Sequence, residues 1–279
     1  MRGRCLLVDP SGMTNMKSLA RAVMPAAYDA ASKVKASVVR ALETKPEYDH
    51  DGMRLYGKSM DWLRDPEFAA AYAVGMNTGH HICRPKGSTE DIHNEYRVYL
   101  CCWAARHAAK LPGDFVECGV NTGITSVAIC TLLNFKNVAK RFFLFDTYGG
   151  IPVEQASEVE RAAREEENSR FYEECFDLAV RNFAPWPNCK LVRGRIPETL
   201  GMQTIDLVAY LHLDMNIAAP EIAAIEHFWP RMTTGGIAML DDYGFEQYRP
   251  QKMAMDKWAL SAGVAIATLP TGQGMILKP

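Results

Sequence analysis

From about residue 91 to the end of the chain, short apolar runs that finish in an acid or a glycine alternate with segments of helical period. This alternation constrains the fold more than any other feature. Asp114 to Gly119, ending in a glycine turn, Arg141 to Asp146, Lys190 to Val192, Ile205 to Asp214 and Gly235 to Asp241 read as strands. Ile124 to Leu133, Glu158 to Phe183 and Pro220 to Trp229 read as the helices between them, and Asp91 to Ala109 as a helix ahead of the first strand. Val264 to Leu269 and Met275 to Lys278 flank the turn Pro270-Thr-Gly-Gln-Gly274 and predict a terminal antiparallel hairpin. Strands alternating with helices form a mostly parallel sheet covered on both faces, so the predicted class is α/β.

The first 90 residues read differently. Leu19, Val23, Ala27, Ala30, Val34, Val38 and Leu42 recur at helical steps and predict an amphipathic helix over 17–43, interrupted near Pro25. From 44 to 90 the chain is polar and broken by Pro46, Pro66, Gly75, Gly79, Pro85 and Gly87. The expected organisation is a helix-and-loop appendage over 1–90 and a core domain over 91–279. The appendage is a candidate lid, with His80-His81 and Arg84 to Thr89 leading into the core.

Composition narrows the function classes. Lys plus Arg is 31 against 33 Asp plus Glu, a net charge of −2, so sequence-independent nucleic-acid binding has no electrostatic footprint. Every apolar run is interrupted before the ~18 residues of a membrane helix, as by His212 and Asp214. The apolar run near the N-terminus, Cys5 to Val8, is too short for a secretory signal, and a cytoplasmic protein is expected. The eight cysteines show no CxxC pair or zinc spacing and read as buried thiols.

In such sheets ligands bind beyond the carboxyl ends of the strands. Those positions hold Glu117 to Gly123, Asp146, Asp214 to Asn216, and Asp241-Asp242. One aspartate after a strand can simply cap the next helix. Acids at four strand ends repel one another unless a cation or ligand hydroxyls compensate. Gly119 and Gly123 give G-x-x-x-G, not the G-x-G-x-x-G that seats a pyrophosphate, which disfavours a nicotinamide-dependent oxidoreductase. Gly119 lets the backbone approach a ligand closely, and Gly123 does the same at the helix start. Asp146 is placed to accept hydrogen bonds from the vicinal hydroxyls of a ribose. A nucleoside ligand without a pyrophosphate is the reading. Asp214, Asp241 and Asp242 lie one strand-helix-strand unit apart, so their carboxylates are expected to converge on a hard cation, best matched by Mg²⁺. Such an ion would orient a diol and lower the pKa of a bound hydroxyl.

The run Asp114-Phe-Val-Glu-Cys-Gly-Val-Asn-Thr-Gly, with Phe143-Leu-Phe-Asp-Thr-Tyr-Gly-Gly-Ile-Pro152, Leu211-His-Leu-Asp214 and Gly235-Gly-Ile-Ala-Met-Leu-Asp-Asp-Tyr243, resembles the macrocin O-methyltransferase family over roughly residues 80 to 279. The resemblance implies a class I, Rossmann-like methyltransferase domain that uses S-adenosylmethionine and Mg²⁺ to methylate sugar hydroxyls on natural products. It implies that Glu117, Gly119, Gly123, Thr125 and Asp146, with Asn121 and Thr122 between the glycines, surround the cofactor. It also implies that Asp214, Asp241 and Asp242 bind the metal. A homo-oligomer is implied in the same way.

Two departures stand out. The family commonly carries a second acid two residues after the strand-end aspartate, a candidate base, where this chain has Asn216; the aromatic or arginine residues often found between the glycines are replaced by Asn121 and Thr122. His212 shares a strand face with Asp214 and is the alternative base, although a strand histidine is ordinarily a hydrogen-bonded core residue. Asp214 itself is the other catalytic candidate. Glu158 to Glu174 interleaves Arg161, Arg164 and Arg170 and reads as a solvated helix face. The expected activity is Mg²⁺-dependent O-methylation of a sugar or glycosylated small molecule. The alternatives are a metal-independent N- or C-methyltransferase and a non-catalytic nucleoside-binding protein of the same fold.

Overall fold

The computed structural model describes residues 24–43, 45–80 and 90–279. The chain forms two compact units, one of the described residues up to Asp49 with Arg54–Lys58, the other of His50–Met53 and Ser59–Pro279. The first unit holds helix α1 (Pro25–Glu43), which begins at the proline expected to interrupt it; the earlier part of the predicted 17–43 helix lies outside the described residues. Strands β1 (Tyr48–His50) and β2 (Met53–Leu55) flank a turn in which Asp51 and Gly52 have positive φ.

In the second unit the first helix, α2 (Pro66–Met76), starts where Pro66 takes the first helical position and the Asp65 carboxylate accepts the Glu67 amide at 2.9 Å. Then follow α3 (Glu95–Ala108), β3 (Asp114–Cys118), α4 (Ile124–Leu132), β4 (Phe142–Asp146), α5 (Glu158–Phe171), α6 (Phe176–Phe183), β5 (Cys189–Arg193), β6 (Val208–Leu213), α7 (Ala218–Phe228), β7 (Met232–Leu240), α8 (Arg249–Ala262), β8 (Ala267–Thr268) and β9 (Gly274–Leu277). Seven strands form one sheet in the order β5-β4-β3-β6-β7-β9-β8. The first five are parallel, and β9 runs antiparallel between β7 and β8. The predicted terminal hairpin is therefore present. Strand order reverses between β3 and β6, which makes their carboxyl ends the expected ligand crevice.

Alternate strand residues face opposite layers. Phe115, Phe142, Leu144, Tyr210 and Met239 pack with Phe68 of α2, Val98 of α3 and Val127 of α4. Val116, Phe143, Phe145, Leu211 and Leu240 pack with Ile225 of α7 and with Met255 and Trp258 of α8. This double burial gives the strands their continuous apolar runs.

Two predicted helices need correction. Glu158 to Phe183 is two helices, because the chain between them is drawn inward: the Cys175 amide donates to the Tyr148 carbonyl at 2.8 Å, and Phe176 packs edge-on to Tyr148. Nor is α5 merely a solvated face. Arg164 is 2% exposed and donates to the Asn216 carbonyl, while Glu160 closes a capping box with Ser157 and accepts the Ala218 amide at the start of α7. Helix α8 was not anticipated, although Gln251, Met255, Trp258 and Ala259 trace a buried helical stripe. The described cysteines, Cys101, Cys102, Cys118, Cys130, Cys175 and Cys189, are free and buried. Among the described residues no helix is long and apolar enough to cross a membrane.

Candidate active site

A cavity of about 310 Å³ opens beyond the carboxyl ends of β3, β4, β6 and β7. Its wall includes Glu117, Gly119, Asn121, Thr125, Asp146, Asp214, Asp241 and Asp242, so both predicted acid sites face one space.

At one end lies the glycine turn. Gly119 has φ +89°, and a Cβ there would sit 1.8 Å from the Asp214 carbonyl oxygen. Its lack of a side chain thus allows β3 and the segment after β6 to touch, a reason the sequence argument from ligand approach did not supply. Asp146 Oδ2 accepts the amides of Val120 at 2.5 Å and Asn121 at 2.7 Å, and its Oδ1 accepts the amide of Tyr148 at 2.6 Å. The carboxylate ties two adjoining turns together at the cavity wall. Glu117 is 2% exposed; its Oε1 bonds His212 Nδ1 at 2.8 Å, and its Oε2 is buried without a partner. A buried carboxylate oxygen with no donor is costly, and a ligand cation or N–H group at the cavity wall would relieve it.

At the other end Asp214, Asp241 and Asp242 bring carboxylate oxygens within 4.8 Å of one another, the convergence their spacing predicts. Arg97 of α3 lies against them. Its Nη1 donates to Asp241 at 2.6 Å and lies 3.7 Å from Asp242, its Nε donates to Asp51 at 3.1 Å, and its guanidinium stacks over Phe245. Burial opposes the charge on Arg97, but Asp241, Asp242, Asp51 and Asp214 outweigh it and hold its pKa above the ordinary value. Burial raises Asp214 well above the usual carboxylate range, and the charges of Asp241 and Asp242 add to it. Asp242 is pushed up to about 7 by burial and by Asp241. Burial acts on Asp241 in the same direction, but Arg97 and His212 reverse it and hold this acid below its usual value. Fully ionised, four carboxylates around one guanidinium would leave an excess of negative charge, which protons on Asp214 and Asp242 or a bound cation relieves. That donor set of hard oxygens suits a divalent cation such as Mg²⁺.

Three of the residues singled out in the sequence lie off the cavity wall. Thr122 is 2% exposed, with its hydroxyl on Thr78 Oγ1 at 3.0 Å and its carbonyl on Asn182, and it is absent from the cavity wall. Gly123 is absent too; a Cβ there would strike the Phe183 ring at 2.6 Å, so this glycine serves helix packing. His212 is fully buried, with Nδ1 on Glu117 and Nε2 facing Asp241 at 3.6 Å, and does not line the cavity. It cannot meet an acceptor hydroxyl as a base. Asn216 is held by Tyr248 Oη at 3.0 Å and offers no proton acceptor of carboxylate strength.

Sequence reading missed Arg97, Asp51, Tyr172, Gln247 and Tyr248, all on the wall. Arg97 left one signal: it lies on the same helical stripe as buried Cys101, Ala104 and Ala108, where a charge is out of place. Tyr172 arrives only because α5 and α6 are separate. His80 also lines the cavity, whereas His81 and Arg84 to Thr89 lie outside the described residues.

Residues 100–264 match the family model described as Macrocin-O-methyltransferase (TylF), more than half of the chain. The chain belongs to the macrocin O-methyltransferase family. Among curated members it is 26% identical over 149 residues to the 8-demethyl-8-(2,3-dimethoxy-alpha-L-rhamnosyl)-tetracenomycin-C 4'-O-methyltransferase of Streptomyces olivaceus, covering 51% of this chain and 57% of that protein. It is 25% identical over 144 residues to the Mycinamicin III 3''-O-methyltransferase of Micromonospora griseorubida, covering 48% and 56%. The match thus spans little more than half the length of either relative. The solved O-methyltransferase NovP superposes with a TM-score of 0.64 at 19% identity, covering 76% of this chain and 97% of that one, and shares the class I methyltransferase fold. The cavity lies where the strand order reverses between β3 and β6, the position at which sheets of this kind bind ligands.

Proposed function

We propose that this chain transfers the methyl group of S-adenosylmethionine to a hydroxyl of a sugar or glycosylated small molecule, with Mg²⁺ held by Asp214, Asp241 and Asp242. The observation that carries this reading is one cavity whose wall joins the Glu117–Asp146 end to the three-carboxylate end. The names of the two curated relatives, both O-methyltransferases and one of them named for a rhamnosyl-bearing substrate, support the acceptor class.

Each residue has a part in the reading. The unpartnered Oε2 of Glu117 would accept the cofactor's amino group, Asp146 would hold the turn that receives the nucleoside, and Gly119, Asn121 and Thr125 would line the approach. Mg²⁺, when bound, supplies Lewis acidity that lowers the pKa of a coordinated hydroxyl. The cavity walls would hold an acceptor oxygen against the methyl donor and exclude water. An oxygen–carbon bond forms as the sulfur–carbon bond breaks, S-adenosylhomocysteine leaves, and the hydroxyl proton passes to a carboxylate. Asp214 is the assigned acceptor of that proton, since Asp241 is engaged by Arg97 and Gln273 and Asn216 lacks the basicity. A bare nucleoside binder gains nothing from the three-carboxylate cluster, and a metal-independent N- or C-methyltransferase has no use for it.

Isothermal titration of S-adenosylmethionine tests the reading, with Mg²⁺ and with EDTA, on the wild type and on Asp146→Ala and Asp241→Ala. Micromolar binding lost in Asp146→Ala and kept in Asp241→Ala is expected. Release of S-adenosylhomocysteine from rhamnosylated polyketides, abolished by EDTA, is expected next. Absence of cofactor binding under every condition would sink the methyltransferase reading, and activity insensitive to EDTA would sink the metal.

A further inference from the structure

The two ends of the cavity are connected behind its wall. Glu117 on β3 pairs with His212 on β6, and His212 pairs with Met239 on β7, so Asp241, two residues beyond Met239, lies on the same face of the sheet. His212 Nδ1 meets Glu117 Oε1 at 2.8 Å, and Nε2 faces Asp241 Oδ1 at 3.6 Å. Beyond Asp241, Arg97 and Asp51 extend the row, so acid and base alternate from Glu117 to Asp51. The ring is completely buried and outside the cavity, so it contacts neither ligand directly. It does contact one acid from each end.

We propose that His212 is a positioning residue that couples cofactor binding to metal binding, a statement that rests on the assignment of Glu117 to the cofactor and Asp241 to the metal. A metal on Asp241 fixes that carboxylate, which fixes the imidazole, which holds Glu117 with its Oε2 toward the cavity. The ordering is shared, so the second ligand binds a site the first has already arranged. The sign is diagnostic. Two cationic ligands in one cavity repel through space, so mutual tightening requires a shared element of the protein. By linkage the effect is reciprocal.

The test is titration of S-adenosylmethionine into the full-length protein with saturating Mg²⁺ and with EDTA, and of Mg²⁺ with and without S-adenosylmethionine. In the wild type each ligand is expected to tighten the other by about 5-fold or more. His212→Gln is expected to bind both ligands with that factor reduced to near 1. Gln273→Leu, which removes the Gln273 Nε2 hydrogen bond to Asp241 but leaves the His212 link to Glu117, is expected to keep it. A factor near or below 1 in the wild type, an undiminished factor in His212→Gln, or an equal loss in Gln273→Leu would each overturn the coupling. Should His212→Gln fail to fold, the wild type decides: the imidazole ¹⁵N resonances of the buried ring must shift on adding Mg²⁺ alone and again with S-adenosylmethionine, and a ring indifferent to either ligand overturns the proposal. Failure of the functional reading looks different, since then S-adenosylmethionine does not bind at all.

Discussion

Gly119→Ala is a demanding test of how the site is built. An added Cβ would lie 1.8 Å from the Asp214 carbonyl oxygen and 2.4 Å from its carbon, both far inside the 3.0 Å that real Cβ contacts respect. Relief requires the β3 and β6 ends to part by about 1.2 Å at the point where Asp214 joins the acid cluster. Overpacking of this kind costs about 1–3 kcal/mol. The positive φ of +89° adds about 1–2 kcal/mol for a residue with a side chain. The total, about 2–5 kcal/mol, corresponds to a drop of roughly 5–15 °C in Tm for a unit of this size. Gly263→Ala provides the reference, because Gly263 at the end of α8 has φ +68° with nothing within 4 Å of its Cβ position. It incurs the conformational cost alone, about 1–2 kcal/mol. Thermal and urea unfolding of both variants separates the terms, and cation titration should show weakened binding only in Gly119→Ala. If Gly119→Ala is no less stable than Gly263→Ala, the steric argument is refuted.

Three further outcomes are expected. Arg97→Met strands the buried carboxylates of Asp51, Asp241 and Asp242 and should cost about 3–5 kcal/mol in EDTA, with Mg²⁺ raising the variant's Tm more than the wild type's; equal responses to Mg²⁺ would contradict the charge argument. Glu221, pushed up to about 8 by burial against hydrogen bonds from Met215 and Gln251, contributes stability that is full below about pH 4.3 and lost as pH rises through 8, so Glu221→Gln should flatten the stability profile between pH 5 and 9; superimposable urea-unfolding profiles would argue against it. Asn168→Ala removes a two-point clasp on the Ile151 backbone at 2.8 and 2.7 Å and should weaken S-adenosylmethionine binding more than it lowers Tm, as calorimetry and melting together can check.

The sequence by itself determined the parallel core, its terminal hairpin and the edge at which ligands bind. Each of these follows from a local rule: apolar runs between helical segments build a sheet buried on both faces, and acids closing those runs lie at one edge. Glu117, Asp146, Asp214, Asp241 and Asp242 were legible for that reason, and all five line the cavity. Tertiary structure alone decided what each does there. A strand position specifies a face and an edge, whereas a hydrogen-bond partner depends on which distant segment packs opposite. Hence Thr122 and Gly123, adjacent in sequence to cavity residues, face Thr78 and Phe183, and His212 lies buried between Glu117 and Asp241. Arg97, 144 residues from Asp241 in the chain, meets it only in space and carries the positive charge opposite the acids, a pairing that no local pattern encodes.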